Sequence, residues 1–182
     1  MVTFDADFLC FLLREDPGVV LDPTSGQPVE RAKEKIEHLI YTLEKARDKI
    51  LIPAPALSEI LCLCGHEMDE VVDVLLRNYG FEIAPFDIMA AIEAAIITGR
   101  AKSRGSKKGA SNETWAKVKF DRQIIAITKT RRAETIYSND TTLKKSAERE
   151  NIRTVSVWEL PDAPPKQAEF FDDDDAVVSE PD

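Results

Sequence analysis

The sequence predicts a three-layer α/β/α sandwich whose central parallel sheet has about five strands. Short apolar runs of strand length alternate with longer segments in which apolar residues recur at helical spacing. Strands that alternate with helices form parallel sheets covered by helices on both faces. A chain of 182 residues, 43% hydrophobic and 31% charged, has the length and composition of one globular domain with a substantial core. We place this α/β domain at residues 1–160.

Five apolar runs are predicted as strands because turn-forming residues end them. Pro53 and Pro55 end the second run, since proline cannot donate a hydrogen bond to a neighbouring strand. In chain order, the predicted strands cover residues 1–5, 49–54, 81–86, 133–138 and 152–157.

The segments between these strands are predicted as helices. Between residues 29 and 48, for example, Val29, Ile36 and Leu43 recur at helical spacing. The other predicted helices cover residues 6–14, 56–63, 66–80, 87–100, 114–130 and 141–151. The segment 17–28, rich in Pro, Gly and Asp, and the segment 100–113, rich in Gly, Ser and Lys, are predicted as loops.

Charge is distributed unevenly along the chain. The net charge is −9, yet residues 100–132 hold eleven bases against two acids, whereas residues 162–182 hold eight acids against one base. We interpret residues 161–182 as an acidic, disordered tail. The basic band indicates a polyanionic partner such as a nucleic acid, with a solvated surface segment as the alternative.

Composition also indicates the cellular compartment of the protein. No apolar run reaches the roughly 18 residues that a membrane-spanning helix needs, and the first residues carry acids rather than the bases of a secretory signal. Three cysteines cannot form a paired disulfide framework. These observations predict a cytoplasmic protein without a membrane partner.

Four acids fall where the predicted sheet would bring them together. Asp5 and Asp140 follow the first and fourth strands, so both are expected at the same carboxyl edge. Glu59 lies in the first turns of the helix after the second strand, and Asp121 lies in the helix 114–130. Carboxylates gathered in this way repel one another unless a cation binds them, and Mg²⁺ takes oxygen ligands of this kind. The pattern therefore predicts a divalent-metal site.

Each acid also has a simpler interpretation when it is taken alone. Asp140 has the position of a helix N-cap before TTLKK. Glu59 suits an exposed helix surface, and Asp121 suits an ion pair with a neighbouring Lys or Arg. Asp5 is the hardest to explain without a partner, because strands disfavour Asp.

The order of these acids resembles that of PIN-domain proteins. The resemblance is carried by FDAD with Asp5, LSEI with Glu59, FDRQIIA with Asp121 and SND with Asp140, and it covers about residues 1–158. It implies a Mg²⁺- or Mn²⁺-dependent endoribonuclease in which these four acids are the catalytic metal ligands. It also implies kinship with the toxins of type II toxin–antitoxin pairs, hence a small antitoxin partner and a homodimer.

Supporting residues follow from the same resemblance. Ser138 matches a position that is often Thr or Ser in the family, where its hydroxyl would orient Asp140 or a metal-bound water. Asp7 is expected either as a fifth carboxylate or as the cap of the first helix. Basic residues of the band are expected to attract the backbone of single-stranded RNA. They are Lys102, Arg104, Lys107, Lys108, Lys117, Lys119 and Arg122.

Two other functions stay open at this point. A non-catalytic PIN-like module that binds RNA or protein would keep the fold without turnover. A phosphatase of the haloacid-dehalogenase type would use Asp5 as a nucleophile, but Lys144 and Asp140 are poorly placed to complete its site.

Overall fold

The computed structural model describes residues 1–14, 17–106, 108 and 113–164. The five strands are β1 (Val2–Phe4), β2 (Ile50–Pro53), β3 (Phe81–Ala84), β4 (Thr135–Tyr137) and β5 (Arg153–Val155). The helices are α1 (Ala6–Leu13), α2 (Ala32–Lys45), α3 (Ala54–Cys64), α4 (Met68–Arg77), α5 (Ile88–Ser103), α6 (Trp115–Thr130) and α7 (Thr141–Glu148). Single 3₁₀ turns cover Gly65–Glu67 and Val157–Glu159.

All five strands are parallel and stand in the order β3-β2-β1-β4-β5. From β1 the chain first builds one half of the sheet and then crosses back to add β4 and β5. Right-handed crossovers place α1–α4 on one face and α5–α7 on the other. The predicted three-layer α/β/α sandwich with a central parallel sheet is thus confirmed.

The sheet core consists of apolar strand residues covered by α1 and α6. Phe4, Phe8 and Tyr137 form an aromatic cluster with ring centroids 5.4 to 5.5 Å apart. The segment Ile124–Ile127 of α6 is also buried against the sheet. Because α1 and α6 are fixed by these contacts, the polar residues at their N-terminal ends are held over the carboxyl edge.

Element boundaries differ from the predictions in a few places. The predicted helix 66–80 begins with a 3₁₀ turn at Gly65, whose φ of 55° interrupts regular α-helix between α3 and α4. Helix α5 runs to Ser103, three residues beyond the predicted helix end at residue 100. Residues 107 and 109–112 of the predicted loop 100–113, like the tail from 165 to 182, lie outside the described residues, which contain no helix long and apolar enough to cross a membrane.

Candidate active site

The carboxyl edge between β1 and β4 is where the strand order reverses, the usual position of ligand sites in such sheets. Asp5 directly follows β1 and is the N-cap of α1, where its Oδ1 accepts a hydrogen bond of 2.8 Å from the N–H of Ala6. Asp140 follows β4 and caps α7, accepting from the N–H groups of Thr142 and Leu143 at 2.7 and 3.1 Å. The capping role considered for Asp140 is therefore real and coexists with its place at the edge.

The other two predicted acids reach this edge from helices. Glu59 is exposed on α3, and Asp121 on α6 is only 6% exposed. Helices α3 and α6 pack together beyond the strand ends. Asp7, in the first turn of α1, is not that helix's N-cap, a position that Asp5 holds.

These five acids line one cavity of about 590 Å³, called the acidic pocket below. Its lining residues are Asp5, Ala6, Asp7, Ser58, Glu59, Cys62, Leu63, Ala116, Lys117, Phe120, Asp121, Ile124 and Asp140. The structure thus brings Asp5, Glu59, Asp121 and Asp140 together, although they are far apart in the chain.

Ser138 connects two acids of the acidic pocket. Its hydroxyl donates to Oδ2 of Asp5 at 2.8 Å, and Oγ of Ser138 accepts from the N–H of Asp140 at 3.0 Å. The backbone carbonyl of Ser138 in turn accepts from the hydroxyl of Ser156 at 2.7 Å. Ser138 is fully buried. It therefore fixes the position of Asp5 relative to Asp140.

Lys117 lies inside the acidic pocket. Its Nζ donates a short hydrogen bond to Oδ2 of Asp140 and lies 3.9 Å from Oδ1 of Asp121. The sequence analysis placed this lysine among RNA-binding residues of the basic band, whereas in the structure its ammonium group neutralises two of the acids. The ion pair considered for Asp121 is also present, because Lys117 precedes Asp121 by one helical turn.

Burial and crowding shift the pKa values of Asp5, Asp7 and Asp121 upward. Burial is the main reason that the pKa of Asp5 rises from 3.8 to about 7, and the charges of Asp7 and Glu59 add to it. Burial likewise raises the pKa of Asp121 to about 6, with Lys117 opposing the shift. The pKa of Asp7 is raised as well, by burial and then by Asp140.

Asp140 behaves in the opposite way. Burial alone would raise its pKa, but the hydrogen bond from Lys117 and those from the N-terminus of α7 lower it overall. Asp140 is therefore firmly ionised at neutral pH, whereas Asp5 and Asp121 hold protons into the range of pH 6 to 7.

The chemistry of the acidic pocket suits a divalent cation. Oδ2 of Asp121 is buried and has no hydrogen-bond partner among the described residues, so it is an acceptor that this part of the chain leaves unsatisfied. Four further carboxyl groups line the pocket beside it, and carboxylates are ligands that Mg²⁺ and Mn²⁺ prefer. Among the described residues, however, no three acid, histidine or cysteine side chains are grouped closely enough to hold one ion as they stand. The ammonium group of Lys117 lies between two of the acids.

The remaining basic residues lie on α5, α6 and the turn after α5. Lys102, Arg104 and Lys119 are exposed, Lys108 is partly buried, and Lys107 lies outside the described residues. Arg122 is 6% exposed and lies with its guanidinium carbon 5.4 Å from the ring centre of the half-buried Trp115.

The sequence analysis missed two features of the acidic pocket. Lys117 is predicted only as a positive charge of the basic band. It stands four residues before Asp121 on one predicted helix, however, and this spacing indicates an ion pair between them. Phe120 is 38% exposed and forms part of the pocket wall. An apolar residue next to a helical acid carries no sequence pattern that distinguishes it from a core residue.

Comparison with known proteins finds similarity in structure rather than in sequence. No protein-family model and no curated protein matches the chain. A chain from FitAB bound to the IR36 DNA fragment is 18% identical with a TM-score of 0.59, and the match covers 89% of this chain and 99% of that one.

Two further solved structures give the same result. A chain of DNA-bound VapBC from Salmonella typhimurium is 16% identical with a TM-score of 0.52, covering 86% of this chain and 99% of that one. A chain of VapBC2 from Rickettsia felis, bound to a promoter DNA fragment, is 13% identical with a TM-score of 0.53, covering 86% and 98%. These similarities concern the fold, and this chain therefore has a PIN-like α/β/α fold.

Proposed function

We propose that this protein is a divalent-metal-dependent endoribonuclease that hydrolyses phosphodiester bonds of single-stranded RNA. The observation that carries the proposal is the convergence of five carboxylates on one cavity, with the buried Oδ2 of Asp121 left unpaired. Maintaining such a cluster costs free energy, and a function that uses the charges accounts for that cost.

Asp5, Asp121 and Asp140 are the residues proposed to hold Mg²⁺ or Mn²⁺, with Glu59 at the open side of the pocket. A metal bound there would lower the pKa of a water molecule and stabilise the charge that develops on the phosphate. Ser138 keeps Asp5 oriented, and Lys117 balances the acids before a metal binds. The ring of Phe120 at the pocket wall offers a surface on which a base can stack.

The test is a cleavage assay on single-stranded RNA with Mg²⁺, Mn²⁺ or EDTA. The native protein is expected to cleave with either metal and to lose activity in EDTA. Asp5→Asn and Asp121→Asn should each reduce cleavage at least 100-fold, while circular dichroism shows an intact fold. Full activity in either variant, or in excess EDTA, would contradict the proposal.

A non-catalytic PIN-like module that binds RNA or protein is the second candidate. The observation in its favour is the ion pair of Lys117 with Asp140, which satisfies part of the acidic pocket without a metal. RNA binding without cleavage, unchanged by either metal, would favour this candidate over the nuclease.

We further propose that the protein is the toxin of a type II toxin–antitoxin pair, with a small antitoxin as its partner. The similar chains come from FitAB and VapBC in complexes with DNA, which supports a partner for this chain as well. Co-expression with a small neighbouring reading frame, followed by affinity purification, tests this. A stable complex that suppresses RNA cleavage is the expected result, and an active enzyme that retains no partner would count against it.

The proposed homodimer has support on α5. Ile88, Met89, Ile92 and Ile96 are each at least 42% exposed and recur on one side of that helix. Size-exclusion chromatography with light scattering checks this, and a monomer at all accessible concentrations would exclude a stable dimer.

A further inference from the structure

A second cavity, of about 360 Å³, lies between α5, α6 and α7, on the other side of α6 from the acidic pocket. Asp121 and Arg122 are neighbours in α6, so their side chains leave the helix in different directions. Asp121 lines the acidic pocket and Arg122 lines this second cavity. Arg104, after α5, and Arg149, after α7, also line it. We call it the arginine cavity.

The arginine cavity carries a strong excess of positive charge. Glu150 is the one acid among its described lining residues. Its Oε2 forms ion pairs with Nη1 of Arg100 at 2.8 Å and with Nζ of Lys129 at 3.0 Å. The negative charge of Glu150 is therefore balanced by two bases that do not line the cavity. Within the described part of the chain, no carboxylate lies within ion-pair distance of the three arginines that line the cavity.

The burial of Arg122 makes this excess of positive charge unfavourable for the stability of the fold. Its side chain is buried, and Nη1 donates to a neutral acceptor, Oγ1 of Thr98, at 3.2 Å. A buried charge without an opposite charge in contact destabilises a fold unless a ligand supplies that charge.

We propose that the arginine cavity binds a phosphate group. The planar guanidinium forks of Arg104, Arg122 and Arg149 suit the oxygens of phosphate, which they can bind in pairs. Ser146 adds a hydroxyl donor to the wall. A volume of about 360 Å³ exceeds that of a lone phosphate and leaves room for an attached sugar. The phosphate belongs either to an RNA strand that crosses α6 or to a free nucleotide.

This site does not depend on the proposed nuclease activity, and its test uses the full chain in EDTA. Calorimetric titrations at fixed ionic strength would compare inorganic phosphate, adenosine 5′-monophosphate and a short oligouridine. The double variant Arg104→Gln/Arg149→Gln removes two exposed charges from the wall, and the matched control, Arg153→Gln, removes an exposed arginine on β5.

At least one probe is expected to bind the native protein and to bind the double variant at least tenfold more weakly, with the control within twofold of native. Binding of the mononucleotide identifies a nucleotide site. Binding of the oligouridine alone identifies a contact with an RNA strand. The site is excluded if no probe binds the native protein, or if the double variant binds as well as the control.

Arg122→Met provides a second measurement. Because methionine removes the buried charge, this variant is expected to be at least as stable as the native protein without ligand. Phosphate should raise the melting temperature of the native protein and leave that of Arg122→Met unchanged. An equal rise in both proteins would show that phosphate acts elsewhere and would overturn the proposal.

Discussion

The hydroxyl of Ser138 donates a hydrogen bond of 2.8 Å to Oδ2 of Asp5 and so connects the ends of β4 and β1. Its oxygen also accepts from the N–H of Asp140, which makes Ser138 the shared support of two acids. The bond to Ser138 lowers the pKa of Asp5 against the larger effect of burial. Ser138 is therefore a positioning residue whose loss should change how Asp5 titrates.

Ser138→Ala is expected to raise the pKa of Asp5 above its present value of about 7. Losing a hydrogen bond to a charged group costs about 1.5–3 kcal/mol. The same free energy added to the reaction barrier lowers RNA cleavage at pH 7 by roughly 10- to 150-fold. Part of this activity should return as the pH is raised, because Asp5 then ionises. A pH–rate profile checks the prediction. Ser138→Thr, which keeps the hydroxyl, is the control, and superimposable profiles for Ala and native protein would contradict it.

Lys117→Met should increase the affinity of the acidic pocket for Mn²⁺. The ammonium group of Lys117 competes with a metal for Asp140 and Asp121, and its removal leaves their charges free. We expect the dissociation constant for Mn²⁺ to fall by about tenfold, equal to roughly 1.4 kcal/mol. Electron paramagnetic resonance titration measures it without reference to activity.

Lys119→Met is the matched control, since Lys119 is exposed on the same helix. It removes the same charge from outside the pocket and should leave Mn²⁺ affinity within twofold of native. If both variants change affinity equally, the effect is one of overall charge. An unchanged affinity in Lys117→Met would show that the ion pair does not oppose metal binding.

Sequence patterns located the carboxyl edge of the sheet but did not give the order of its strands. Asp5 and Asp140 could be placed because the carboxyl ends of parallel strands share one edge, whatever the order of the strands. The inward position of Lys117 could not be found from local charge, since it depends on how α6 approaches β4. The arginine cavity could not be predicted from the sequence either, because Arg104, Arg122 and Arg149 come from three separate segments of the chain.

A buried pair of hydroxyls attaches α6 to β1 and so sets the distance between Asp121 and Asp5. The hydroxyl of Thr128 donates to the carbonyl of Ile124 at 2.9 Å, so Thr3 must donate to Thr128 across 3.0 Å. Thr128→Val leaves the Thr3 hydroxyl without an acceptor and should cost about 1–3 kcal/mol of unfolding free energy. Thr3→Val leaves Thr128 satisfied and should cost about 0.5–1.5 kcal/mol. Urea denaturation measures both, and equal losses would refute the assigned direction of the bond.

Stability without metal should fall as pH rises, because of Asp5. Its pKa is about 7 in the fold against 3.8 unfolded, so between these values the folded protein holds a proton that the unfolded chain has released. Raising the pH through this window therefore favours unfolding, by up to about 4 kcal/mol for a shift of three units. Asp5→Asn cannot ionise and should lose less stability between pH 4 and pH 8.

Denaturation in EDTA across this pH range checks the difference between the two proteins, which isolates Asp5 from Asp7 and Asp121. Asp140→Asn is the opposing control. The pKa of Asp140 is lowered by Lys117 despite its burial, so its contribution is present above pH 4 and disappears as the carboxylate is protonated. That variant should be less stable than native protein at pH 7 and should approach it in acid. Parallel pH curves for native protein and Asp5→Asn would show that Asp5 ionises in the fold as readily as in water.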